Sequence, residues 1–173
     1  MSNIRLIGLS SIRIGAVGGT GAMGGTLETI NAIVPDSAHL IIEPPGVTDL
    51  FVEEEDLPDI QILGTSKKTI EFATRDIGGD ALVLAFAGAT SATGSVWSAS
   101  TAGAVTIKEK CIEAISKIYN GKKLKMEIPR VSVHAGGDLR FTKTESGQIS
   151  FSCDVLIPAS SVKISPIVIT QQT

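Results

Sequence analysis

Aromatic residues are scarce in this chain. Phe, Tyr and Trp together make up 4% of 173 residues, so packing has to rest on Ile, Val, Leu, Ala and Gly. Charged side chains are also few, at 19%, below the usual quarter of a globular protein. The two cysteines, Cys111 and Cys153, lie far apart and form no pairwise metal spacing. Each sits in a β-like run and reads as a buried, reduced thiol. His39 and His134, the only histidines, stand singly among strand residues and read as strand histidines rather than ligands. No Gly-Lys-Ser/Thr follows the glycines, which excludes a Walker loop. No Gly-x-Ser-x-Gly elbow offers a serine nucleophile. No catalytic, cofactor-binding or metal-binding residue is therefore expected, and the chain reads as a non-enzyme. No apolar run approaches the length that spans a bilayer. Met1 to Arg13 is broken by Asn3, Arg5, Ser10, Ser11 and Arg13, so no secretory leader and a cytoplasm-like compartment are expected. A net charge of −3 lacks the basic face that non-specific DNA binding requires.

What is present points to β structure. The length suits a single domain, 1–173, able to bury a core without metal or disulfide, and neither internal repeat nor linker interrupts it. Eighteen glycines with few charges lean towards a surface hidden by self-association. The first 25 residues read as a Gly-rich N-terminal arm that orders against a neighbour, since glycine loses the most backbone freedom on folding. Thr26 to Val34 fits either a short helix or a strand. Ala38 to Glu43 reads as a strand stopped by Pro44-Pro45-Gly46. Ile60 to Ile62 and Lys68 to Thr74 resume strand character, with Ile70 and Phe72 sharing a face. Asp80 to Ala87 is the one helix candidate, with Asp80 as N-cap and Gly88 as stop. A Ser/Thr/Ala-rich loop carrying Trp97 follows. Val105 to Tyr119 and Lys122 to Val133 flank Asn120-Gly121, a strong hairpin signal that pairs Tyr119 with Lys122 and sets Ile115 opposite Met126. Ile149, Phe151, Cys153, Val155 and Ile157 alternate with Ser150, Ser152 and Asp154, so one face is buried and the other polar. Val162 to Ile169, interrupted by Pro166, reads as an edge or a terminal arm. The fold class is mainly β: an antiparallel sandwich or barrel with one short flanking helix.

Two constellations invite a functional reading. Gly15-Ala16-Val17-Gly18-Gly19-Thr20-Gly21 after the strand-like Ile12-Arg13-Ile14 has the spacing of a phosphate-binding turn, and Tyr119 and Lys123 stand four apart as in short-chain dehydrogenases. A Rossmann unit also needs repeated strand–helix alternation, and the second half of this chain is hairpins. A small nucleotide-binding enzyme is thus the distant alternative. The acidic run Glu53-Glu54-Glu55-Asp56 is the other. Four adjacent carboxylates repel, so they need open solvent or a basic partner. The Lys122-Lys123-Lys125 cluster of another copy is an example of such a partner, and these seven are the expected subunit and ring contacts.

Taken in order, several of these features resemble phage major tail tube proteins of the siphophage type. They are Ile12 to Gly15 with Gly21 to Leu27, the strand ending at Glu43-Pro44, the acidic segment closing on Leu57-Pro58, the strand Lys68 to Thr74, the run Asp76 to Gly88, the loop with Trp97, and Leu124 to Arg130 before further strands. The resemblance spans about Ile12 to Pro158. It implies a structural virion protein that forms homohexameric rings stacked into a hollow tail tube. DNA would pass through the lumen into the host without specific binding. The expected partners are further copies of the chain and the other tail proteins (tape measure, terminator and distal tail), with no membrane and no cofactor. Its place would be the virion tail, assembled in the host cytoplasm. The loop Pro44 to Pro58 would reach the adjacent ring. Another tube-forming or capsid-associated structural protein, from a contractile tail or a secretion system, is the alternative.

Overall fold

In a computed structural model the chain is mainly β, with a single short helix among the described residues, which are 8–51, 60–91, 96–99, 108–141, 146–159 and 163–172. The elements are β1 (Leu9–Gly15), β2 (Leu27–Ile30), β3 (His39–Ile42), β4 (Val47–Leu50), β5 (Ile60–Leu63), β6 (Lys68–Thr74), α1 (Gly79–Phe86), β7 (Ala89–Thr90), β8 (Trp97–Ser98), β9 (Lys108–Ser116), β10 (Lys123–Phe141), β11 (Ser146–Val155) and β12 (Val168–Gln172). The main sheet is antiparallel, in the order β2-β1-β9-β10-β11-β6-β3, with β12 also on β10. Its two ends meet. The segment after β2 crosses to β6, where Ile33 bridges Thr74, Val34 N–H donates to Ala73 O (2.8 Å), Arg75 N–H donates to Ala32 O (3.0 Å) and Thr74 Oγ1 donates to Asn31 O (2.6 Å). The sheet therefore curls towards a barrel, with side chains filling the inside.

The period of two that marks β11 in the sequence is what builds this core. Ile149, Phe151 and Cys153 are buried while Ser146, Gln148 and Ser150 are exposed. Opposite them on β6 stand Thr74, Phe72 and Ile70, so that each inward residue meets an inward residue. Ile12 and Ile14 of β1, Ile112 and Ala114 of β9, and Ile128 and Val131 of β10 complete one continuous cluster. Ala81, Leu82, Leu84 and Ala85 of α1 pack against it. At eight residues the helix cannot stand alone. Packing on the core holds it, and so does the Lys108 ammonium, which donates to the terminal carbonyls of Val83 and Leu84.

The structure corrects four expectations. The first 25 residues are no loose arm from residue 9 onward. β1 lies between β2 and β9 with Ile12 fully buried, and the glycines behind it close on their own chain. Gly21 N–H donates to Gly18 O (2.8 Å), Gly24 N–H donates to Cys111 Sγ (3.3 Å), and a Cβ at Gly24 would stand 2.0 Å from Ala16 O. Glycine is there because the backbone passes that closely. Second, the N-cap of α1 is Gly78, with no side-chain cap, and Asp80 lies inside the first turn. There its charge faces the positive end of the helix dipole.

Third, the Asn120-Gly121 turn forms with both residues at positive φ (49° and 71°) and Tyr119 bridged to Lys122, as a type I′ hairpin requires. The ladder beyond it is shifted by one residue, however. An extra residue at Lys117–Ile118 puts Ile115 opposite Lys125 and Ala114 opposite Met126, and Leu124 N–H donates to Ser116 Oγ (2.8 Å). A one-residue slip exchanges the faces, and here it delivers Ile112 and Ala114 to the core. A second irregularity takes up Pro129, which is buried in the middle of β10 between the pairs Ile128↔Ile112 and Val131↔Lys110. A residue without N–H fits a central strand only at such a bulge. Fourth, Pro44 to Pro58 does not run as a simple loop, because residues 47–50 form β4, paired with β5.

Candidate functional site

β3 and β4 run out, and β5 and β6 return, in one unbroken register. Partners His39↔Glu71 and Ile42↔Lys68 lead through Glu43 N–H to Lys67 O (2.9 Å) and Gly64 N–H to Gly46 O (2.7 Å) to Val47↔Leu63 and Leu50↔Ile60. The residue numbers of every pair sum to the same value. The arm is thus a single long hairpin whose ladder is thinned at Pro44 and Pro45, which carry no N–H. The eight steps from Ile42 to Leu50, at about 3.3 Å each, carry it about 26 Å beyond the end of β3.

The distal part of this arm is apolar and uncovered. Val47 (54% exposed), Leu50, Phe51 (63%), Ile60, Ile62 and Leu63 (67%) all face solvent. By strand alternation Val47 and Leu63 lie on one face, and Leu50, Ile60 and Ile62 on the other. Two isolated strands are marginally stable in water, and contiguous exposed apolar surface marks an interaction site. The sequence reading missed these residues. Their signal was present as apolar flanks placed symmetrically about the acidic run.

Of the seven expected contact residues, Glu53, Glu54, Glu55 and Asp56 fall between β4 and β5, outside the described residues. Lys122 directly precedes β10, and Lys123 and Lys125 stand at its start. Lys125 is held within its own chain by Glu127 (2.7 Å) and by the buried Glu113 (3.0 Å), which also binds Arg13 (2.9 Å). Hydrogen bonds to Glu127 and Glu113 raise the Lys125 pKa above its ordinary value despite burial. Lys123 makes no ion pair among the described residues. Tyr119 and Lys123 flank the turn, and the glycine segment leads into antiparallel β2 with no helix after it, so the geometry of a dinucleotide site is absent there.

The outward face of the sheet bears two adjacent cross-strand rows, His39–Glu71–Ser152–His134 and Thr69–Asp154–Ser132. Ser132, His134 and Asp154 have the residue types of a hydrolytic triad but not its geometry. Both Ser132 Oγ (3.2 Å) and Asp154 Oδ2 (3.8 Å) approach the same nitrogen, His134 Nε2, whereas a relay needs the two partners on opposite nitrogens. Burial pushes the Asp154 carboxyl up, but hydrogen bonds from Lys67 and Thr69, with the charges of Lys67 and His134, hold it below the usual range. The rows act as cross-strand ties. Among the described residues no three His, Cys, Asp or Glu gather into a group able to hold a metal ion.

Cys111 and Cys153 are free and fully buried, as their strand context predicts. Burial, followed by the neighbouring Asp154 charge, raises the Cys153 pKa from 9.0 to about 12, with a backbone hydrogen bond at His134 opposing it. A raised folded pKa means that this thiol's contribution to stability is complete below its unfolded value. That contribution is lost as pH rises from about 9 towards 12. Neither thiol is expected to react with iodoacetamide at pH 8 until denaturant unfolds the chain, and the unfolding midpoint is expected to fall above pH 9. Stoichiometric labelling of native protein, read by mass spectrometry, contradicts this.

No family model matches this chain, and no curated protein matches it.

Proposed function

We propose that this protein is a structural subunit that associates with copies of itself into rings and stacks them into a hollow tube of the phage tail type, a conduit for DNA. The observation that carries this reading is the apolar arm. A hairpin that reaches about 26 Å past β3, apolar on both faces and uncovered, is a cost to an isolated subunit and an asset to one that meets a neighbour. A head-to-tail contact uses one surface on each side of every copy, so repetition closes a ring where the rotation between copies closes. Stacking needs an element that leaves the plane of the ring, and we assign that role to the arm.

The arm changes the driving force of the contact. The charge-to-charge contact expected between the acidic run and the lysines gives way to burial of apolar surface, since Lys125 is already neutralised in its own chain. The acidic run then serves to keep the arm soluble before assembly. A chain of net charge −3 also suits a wall along which phosphate slides without being gripped. Electron microscopy of the purified protein at high concentration tests the proposal. Rings or hollow tubes are the expected result, and a monodisperse small species at every concentration and salt overturns it.

A further inference from the structure

β12 is attached to the sheet in an unusual way. It lies beside the first part of β10, Lys123↔Gln172 through Glu127↔Val168, while β11 occupies the same side further along, starting at Val131↔Val155. The chain leaves β11 opposite Val131 and enters β12 opposite Glu127, a distance of four residues or about 13 Å along β10. It uses residues 156–167 to do so, twelve residues that can span about 40 Å. Leu156 N–H donates to Arg130 O (3.0 Å), Arg130 Nη1 donates to Ile157 O (3.0 Å), and Ile167 packs against the core. These contacts secure the two ends of the connection. Residues 158–166 still span about 30 Å if extended, roughly twice what the cis path needs.

The strand itself is held mainly by its backbone ladder. Residues 168–171 are exposed, Val168 at 39% and Ile169 at 59%, and the turn that opens β10 bears exposed Ile118 (71%) and Tyr119. A ladder made of main-chain bonds is the same whichever copy supplies the strand. Exchange between identical copies therefore changes little besides the path of the connection and the side chains that become covered.

Resting on the assembly reading above, we propose that the edge of β10 at Lys123–Glu127 is a strand-acceptor site whose occupant in the assembled state is residues 168–172 of an adjacent copy. The isolated subunit fills the site with its own segment. On assembly the segment crosses to the neighbour, the long connection spans the boundary, and Val168 and Ile169 gain cover between copies.

Leu124→Cys combined with Gln171→Cys tests this, because the two are direct partners across the ladder and the native thiols are buried. Dilute and concentrated protein are oxidised and separated on denaturing, non-reducing gels, with electron microscopy of the same samples. The expected shift is from a single-length band in dilute protein to a ladder of multimers in assembled particles. Particles that give only the single-length band overturn the exchange and leave the assembly standing. A ladder without particles supports the exchange and removes the tube. A single-length band without particles at any concentration overturns both. Lys123→Cys with Gln172→Cys, the adjacent pair, repeats the measurement where the first variant does not fold.

Discussion

Phe151→Ala is expected to lower the unfolding free energy by about 3–5 kcal/mol, the largest single-residue effect on the fold. Phe151 is 2% exposed and lies on Phe72 with ring centroids 4.9 Å apart and planes 18° from parallel. Truncation removes buried apolar area, and the stacked pair with it, which adds about 0.5–1.5 kcal/mol beyond area alone. It also leaves a cavity between β10 and β6, on both of which β11 is laddered, so the walls cannot close in without breaking main-chain bonds. In a chain with five phenylalanines and one tryptophan, little else can fill the space. Against a total stability of about 5–15 kcal/mol, such a loss threatens folding at ordinary temperature. Urea denaturation measures it. A loss under about 1 kcal/mol contradicts the account of the core, and Phe51→Ala, on the exposed arm, serves as the silent control.

Ile62→Glu with Leu63→Glu is expected to have the opposite profile, leaving the subunit's stability near that of the parent while abolishing its assembly. The two side chains point to opposite faces of the arm and are 51% and 67% exposed, so neither contributes to the core. Burying an Ile or Leu contributes about 1.5–3 kcal/mol. Losing two half-buried gains, about 3 kcal/mol together, raises the concentration needed for assembly by about a hundredfold. Light scattering against concentration, with electron microscopy, reads this directly. Parent-like tubes at the parent concentration show that the arm is not the contact, whereas a lowered denaturation midpoint shows that it serves the fold.

Much of the fold is legible along the chain because its signals are local. Asn120-Gly121 dictates a turn through the sign of φ, and the alternation from Ile149 to Cys153 dictates a strand with one wet face. Both stand as read. The helix is also read within one residue at either end, although its cap is not. Asp80 has the right chemistry for an N-cap, but capping depends on which residue is extended, and that is Gly78. The exposed apolar arm was legible only in part. A run of four acids is conspicuous in one dimension, whereas Val47, Leu50, Ile60 and Ile62 become a patch only once two segments about a dozen residues apart are aligned by register.

By itself the sequence determined the β class, the position of the main turn, the buried thiols and which face of β11 is apolar. Each of these depends on the conformational preference or transfer energy of residues within a few positions of one another. The tertiary structure decided the rest. It shifted the β9–β10 register by one at Lys117–Ile118, accommodated Pro129 in a central strand, joined the ends of the sheet at Ile33 and Thr74, and extended β3 and β6 into an arm. These are competitions for hydrogen-bond partners between segments far apart in the chain. A buried N–H or C=O must find a partner somewhere, and only the closed fold determines which one it finds.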